Sequence, residues 1–130
     1  MGGAFKKGTV FELSPNGDGT WTKTVLYNFR GRRDGRAPGF STLTFDRAGN
    51  LYGETPYGGD GPCGESGCGV VFELSPTGGG SWTETVLHRF DGADGEFPWQ
   101  GLVFDAAGNI YGTTQSGGAY GKGTVFELKP

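Results

Sequence analysis

The chain has 130 residues, a formal net charge of −3 and a single histidine. That balance gives no basic footprint for nucleic acid, no apolar run nears the roughly 18 residues of a membrane span, and one imidazole excludes a His-rich metal site within one copy. Its 28 Gly and 7 Pro would suggest disorder in a sequence without a period, but ten Phe, five Tyr and three Trp point to packed structure.

In chain order, the first element is GTVFEL at Gly8 to Leu13, β-branched and aromatic, which predicts a strand. A polar turn from Ser14 to Trp21 leads into a second strand at Thr22 to Phe29. A basic loop follows, carrying Arg30, Arg32, Arg33 and Arg36. Ser41 to Asp46 and Leu51 to Thr55 are the next strands, joined by Arg47-Ala48-Gly49-Asn50, where Asn and Gly supply left-handed backbone. After a Gly-rich loop the series restarts: GVVFEL at Gly69 to Leu74, SPTGGGSWTETVLHRF at Ser75 to Phe90, LVFDAAGNIYGTT at Leu102 to Thr114, and GTVFEL again at Gly123 to Leu128. Tyr52-Gly53 returns after 59 residues as Tyr111-Gly112, and Phe11-Glu12 after 61 as Phe72-Glu73. No segment holds helical periodicity over ten positions, so no helix is predicted.

Four short antiparallel strands in about 60 residues is the arithmetic of a β-propeller blade. Residues 1–40 then supply a half blade (third and outermost strands), 41–90 a complete blade, and 91–130 a partial blade of the first three strands. Phe11, Phe72, Phe126, Trp21, Trp82, Phe45 and Phe104 are expected to be buried between sheets. Two units cannot close a ring that needs about 4–8 blades, and an unclosed pair leaves strand edges exposed. The expected partners are therefore other copies of the chain in a cyclic homo-oligomer, with a six-bladed trimer favoured. The duplicated third strand must be resolved in such a ring, and the Gly123 to Leu128 copy is expected to hold the blade. Met1 runs into the middle of a repeat without a signal-peptide pattern, so the expectation is that Met1 was added to a fragment or that a signal region lies outside these residues.

The chemistry-bearing residues are few. Gly3 to Thr9 and Gly118 to Thr124 lack the Lys-Ser/Thr pair of a phosphate loop and open no helix. His88 stands where the other repeat has Tyr27, and no nucleophile motif accompanies it, so no catalytic residue, metal ligand or cofactor is expected. Cys63 and Cys68, with four residues between them in a long Gly-rich loop, suit a local disulfide and an extracytoplasmic origin. The arginine loop is answered in the second repeat by Asp91, Asp94 and Glu96. These charges read as a solvated surface or as basic-to-acidic pairing between neighbouring blades, and as an anion site at Arg32 and Arg33 or a calcium site at the acids. The acids lack EF-hand spacing. Trp99, an unrepeated aromatic where the other copy has Gly39 or Phe40, and Tyr57 and Tyr120 are the candidate ligand contacts on the loop face, where propeller geometry would gather Arg30 to Pro38, Cys63 to Cys68, Asp91 to Trp99 and Gly117 to Lys122.

Two resemblances follow from quoted residues. Ser14-Pro-Asn16-Gly-Asp18-Gly-Thr20-Trp21 and Ser75-Pro-Thr77-Gly-Gly-Gly-Ser81-Trp82 resemble the Asp-box of sialidase-like propellers, a structural turn between the third and fourth strands of a blade. Asn16, Asp18 and Thr77 depart from its pattern. The whole repeat, GGA-x-GTVFELSP, TVLHxF-DGxDGxxP and GLxFDxxGNxYGTT, resembles the GloVer-type tandem repeat of large bacterial proteins with varied C-terminal anchors. That resemblance implies a propeller-like, extracellular or cell-surface protein and carries no activity with it. Three functions compete: a non-enzymatic structural or interaction module, a lectin-like carbohydrate-binding oligomer, and a glycosidase or lyase fragment. The first is preferred, because a glycosidase needs two facing carboxylates and nothing among the many acids selects such a pair.

Overall fold

The computed structural model describes residues 1–130 and is all-β, with ten strands in three antiparallel sheets. β1 (Thr9–Pro15) and β2 (Trp21–Asn28) form the first sheet, a hairpin. β3 (Thr44–Phe45), β4 (Leu51–Thr55), β5 (Val70–Gly78) and β6 (Ser81–Arg89) form the second, neighbours in sequence order. The third joins β7 (Glu96–Pro98), β8 (Val103–Phe104), β9 (Ile110–Ser116) and β10 (Val125–Leu128), with β7 and β8 pairing opposite ends of β9.

The structure departs from the sequence reading at two kinds of place. Single-turn 3-10 segments occur at Pro38–Phe40 and Gly64–Ser66, where no helix was expected. The strand expected over Ser41 to Asp46 contracts to Thr44–Phe45. Its first residues turn aside, with Ser41 Oγ 3.4 Å from the Glu54 carboxylate. At its end Asp46 folds the next turn, accepting from Ala48 N at 2.8 Å, Asn50 N at 2.9 Å, Asn50 Nδ2 at 2.8 Å and the Tyr52 hydroxyl at 3.1 Å. Asp105 accepts from Ala107, Asn109 and Tyr111 in the same pattern. One carboxylate satisfying two backbone donors of a tight turn is the physical content of the repeated string FDxxGNxYG.

The sheets stack face to face, and the two contacts between them are equivalent. Between the first and second sheets lie Val10, Phe29, Leu51, Val70, Phe72 and Leu74. Between the second and third lie Val71, Phe90 and Ile110, with Phe126 and Leu128 packed against them. Each of these five sits one repeat after its equivalent in the first set; Val70 has no apolar equivalent, Thr124 standing in its place, and Cys68 and Leu102 join the second contact without buried equivalents in the first. The aromatic geometry repeats too: Phe29 meets Phe72 edge-on at 5.2 Å, and Phe90 meets Phe126 edge-on at 5.1 Å. The middle sheet is therefore covered on both faces, which explains why Val70, Val71 and Phe72 are all fully buried. A bulge sits at the same place in both hairpins, between Val10 and Phe11 and between Val71 and Phe72. In the first hairpin Leu26 and Tyr27 both pack on the first core cluster.

Burial corrects part of the expected core. Phe72 is wholly buried, but Phe11 is 47% exposed, Trp21 61% and Phe45 63%. Phe11 and Trp21 lie on the face of the first sheet that no further sheet covers, and Phe45 lies on the inner part of the second sheet, beyond the reach of the two strands of the first. Trp82, Phe104 and Phe126 are partly buried at the two contacts.

The loops that follow the outermost strands meet the loops between the second and third strands of the next sheet. The Arg32 carbonyl accepts from Gly59 N, and the Gly92 carbonyl from Gly118 N. The same loops also bond back to the segment before the third strand of the sheet they leave: Ala37 N donates to the Lys7 carbonyl, and Phe97 N to the Cys68 carbonyl. Ala37 and Phe97 hold left-handed backbone, φ 60° and 58°, each immediately before a proline.

Candidate functional site

The arginine loop stands beside the outermost strand of the second sheet, and together they bound an open cleft of about 670 Å³. One wall holds Tyr27, Arg30, Arg32, Arg33 and Asp34; the other holds Trp82, Thr83 and Glu84 of β6, with Asp60 at the rim. Asp34 fixes the first wall. It accepts from Arg30 N at 2.8 Å, Gly31 N at 3.0 Å and the Tyr27 hydroxyl at 3.1 Å, so its carboxylate anchors the turn. Gly35 follows at φ +88°, and a Cβ there would fall 2.2 Å from Thr55 Oγ1, so only glycine lets this turn press onto β4. Arg33 Nε donates to Asp60 at 3.2 Å across the exposed rim.

Glu84 is the unusual group. One of its carboxylate oxygens, Oε1, is buried and has no hydrogen-bond partner. Burial, then the negative charge of Asp34, push its carboxyl up to about 7, against the opposing pull of Arg89 and Arg30. Burial, then Glu84 and Asp34, also raise the Tyr27 phenol. The cleft thus offers a carboxyl that changes charge near neutral pH, three guanidinium groups and one edge of an indole. That set can hold a polar ligand through charge-assisted hydrogen bonds and aromatic contact. A proton could move at Glu84, but Asp34 is committed to the turn.

The five candidate ligand contacts do not converge. Arg32 and Arg33 share the cleft. Tyr57 is held between the Arg36 guanidinium, 5.3 Å from its ring, and Phe97, 5.6 Å away. Trp99 packs on Phe40 at 5.8 Å and lines a separate shallow pocket with Gln100. Tyr120 projects into solvent, 91% exposed. Cys63 and Cys68 are joined in a disulfide with Cα atoms 5.1 Å apart, and Cys68 is fully buried against the second core cluster. No cluster of three or more His, Cys, Asp or Glu side chains is placed to hold a metal ion.

In the Ser14 to Trp21 turn, Asp18 accepts from Thr20 N and Oγ1, while Asn16 bonds Thr20 and Thr22. Ser14 and Ser75 point along their strands to Glu12 and Glu73 rather than into the turn. In the second copy the Thr77 hydroxyl donates to the Ser81 carbonyl, the reverse polarity of an accepting carboxylate.

Tyr27 and Glu84 were not singled out from the sequence, though a signal was present. Glu84 replaces Lys23 of the other repeat, and the loop charge inverts along with it: Asp91 replaces Arg30, and the single Ala93 stands where the first loop has Arg32 and Arg33. The second loop keeps the same turn with opposite charge. Asp94 accepts from Asp91 N at 2.9 Å and pairs with His88 Nε2 at 2.6 Å, while Gly95 presses on Thr114 as Gly35 presses on Thr55.

The family model described as the Gloeobacter/Verrucomicrobia repeat matches residues 1–130. No curated protein and no solved structure matches the chain. The strings that define the repeat in sequence are those that build the recurring turns and inter-sheet contacts here, and with a match over its whole length the chain belongs to the Gloeobacter/Verrucomicrobia repeat family.

Proposed function

We propose that the chain is a non-enzymatic β-propeller repeat module of a bacterial surface or secreted protein, with a structural or protein-interaction role, that self-assembles into a closed ring. The observation that carries this reading is the correspondence of the two inter-sheet contacts, in which Phe29–Phe72 and Phe90–Phe126 recur at 5.2 and 5.1 Å with interplanar angles of 70° and 67°. Sheets that each offer their successor the same surface add by one repeated head-to-tail operation, which closes into a ring when the rotation permits. The first sheet holds the outer two strands of a unit, and β8, β9 and β10 of the third sheet match the inner three, so the two parts complete a unit with the third strand present twice. Two units per copy make three copies the favoured number, since six blades lie within the range of about 4–8 that closes. The Cys63–Cys68 disulfide suits an oxidising, extracytoplasmic setting. Light scattering at micromolar concentration tests the assembly: a species near three times 13.7 kDa is expected, and a monodisperse 13.7 kDa monomer refutes it.

A carbohydrate-binding role is the second reading, favoured by the cleft in which Trp82 faces Arg32 and Arg33. A glycan array run with the chain and with its Arg32→Ala, Arg33→Ala form tests it. Loss of signal in the double variant supports a sugar site there, and an unchanged or blank array rejects it.

A further inference from the structure

We infer that the β1–β2 hairpin of a second copy occupies the outer half of the third sheet, takes the place of β10 against β9, and sets its Lys23 against the acidic turn at Asp91 and Asp94. The inference rests on the self-assembly proposed above and identifies the contact that makes it.

Register allows the exchange. Gly123 to Leu128 repeats Gly8 to Leu13 residue for residue, so β1 can meet β9 in the register that β10 uses now. Glu12 would then stand opposite Tyr111 and Phe11 opposite Gly112, where Glu127 and Phe126 stand in the single copy. β10 pairs over four residues and has a free outer edge, whereas β1 pairs with β2 along seven. Exchange keeps the ladder on β9, keeps the hairpin ladder, and covers the free edge. Geometry therefore favours the N-terminal copy of the duplicated strand, opposite to the expectation from sequence.

The apolar surface agrees. Phe11, Leu13, Trp21 and Val25 form the exposed face of the hairpin. Their equivalents Phe72, Leu74, Trp82 and Val86 all pack against the preceding sheet. A second match lies near the inner strands. Tyr52 meets Phe104 edge-on at 4.9 Å between the second and third sheets. Phe45 is the counterpart of Phe104 but is exposed, because the first sheet has no strand to carry the tyrosine. The exchange supplies it: Tyr111 of one copy reaches Phe45 of the next.

Charge selects this seat. Within one copy the basic loop of the first sheet faces Glu84 on the outermost strand of the second. The second sheet's loop is acidic, and the residue equivalent to Glu84 on β2 is Lys23. Seating β2 as the third sheet's outermost strand opposes Lys23 to Asp91 and Asp94, and both contacts of the assembly then pair unlike charges.

Two measurements on the full chain test the seat. In sedimentation at low salt, Lys23→Glu is expected to raise the dissociation constant about tenfold, the difference shrinking at high salt. Adding Asp91→Arg opposes an arginine to the new glutamate, as the Arg30 charge opposes Glu84 across the cleft, and most of the affinity should return. In the second measurement, Glu12→Cys combined with Tyr111→Cys gives cross-linked oligomers on non-reducing gels, since directly paired strand residues lie within disulfide reach. A wild-type chain that stays monomeric sinks the self-assembly reading itself. A wild-type oligomer that ignores Lys23→Glu, is not rescued by the second change, or gives no cross-link between copies overturns the seat and leaves self-assembly standing.

Discussion

Replacing the phenylalanine of the repeated string by alanine, one copy at a time, asks how burial converts one sequence position into three different energies. Phe72 is fully buried, meets Phe29 edge-on at 5.2 Å, and lies between two sheets that cannot collapse onto the space it leaves. Phe72→Ala should therefore cost about 4 kcal/mol, from the range of roughly 3–5 kcal/mol for buried Phe→Ala. Phe126 has a similar edge-on contact with Phe90 but sits on a partly open sheet, so Phe126→Ala should cost about 2 kcal/mol. Phe11 is 47% exposed, leaves no closed cavity, and touches the Lys23 ammonium 4.6 Å from its ring. For Phe11→Ala about 1 kcal/mol is expected, roughly half the transfer energy of a Phe side chain. Chemical unfolding followed by tryptophan fluorescence measures all three, run at nanomolar concentration so that a single copy is the species unfolding. Equal costs for the three would refute the stacking described here, because they would require all three rings to share one environment. At micromolar concentration the cost at Phe11 should grow as assembly covers its ring, while the cost at Phe72 stays constant.

Glu84→Gln should remove a pH dependence. The folded carboxyl is raised to about 7 from an ordinary 4.5, so its contribution is fully present below 4.5 and is lost as pH rises through 7. Calorimetry should find the wild type falling behind the glutamine variant by about 1–2 kcal/mol between pH 5 and 8, a figure discounted for the solvent that screens the partly exposed group; parallel profiles would count against the buried carboxyl. Reduction of Cys63–Cys68 should lower stability by about 2 kcal/mol without loss of the β-sheet circular-dichroism signal, since the bond closes a short loop; complete unfolding on reduction would show that the loop organises the fold. Gly35→Ala should cost about 3 kcal/mol, because the new methyl meets Thr55 at positive φ, and Gly49→Ala, also at positive φ but with open space around it, only about 1 kcal/mol. Equal costs at the two glycines in urea unfolding would contradict the close approach to β4. Asp46 should titrate below its ordinary 3.8: burial pushes it up, but hydrogen bonds from Asn50, Tyr52 and Ala48 outweigh that. Its contribution is then kept above 3.8 and lost on further acidification, and a carbon-13 midpoint above 3.8 would contradict the bonded turn.

By itself the sequence determined the unit. Its period, its β-branched strings and its Asn-Gly turns specify short antiparallel strands because those signals act over a few residues. The FDxxGNxYG turns could be located from their string because every partner of Asp46 and Asp105 lies within six residues. What only the tertiary structure decided is how equal strings acquire unequal environments. Phe11, Phe72 and Phe126 occupy one position in three copies, and their burial depends on whether a sheet lies above them. The cleft was out of reach for the same reason. Glu84 comes from β6, Asp34 from the loop after β2 and Asp60 from the loop after β4. Nothing local in WTETVL marks its glutamate as buried, since that follows from the first sheet stacking on the second. The inversion of charge at Lys23 and Glu84, together with the two loops, was written in the sequence all along. It became readable once the stacking showed which loop faces which strand.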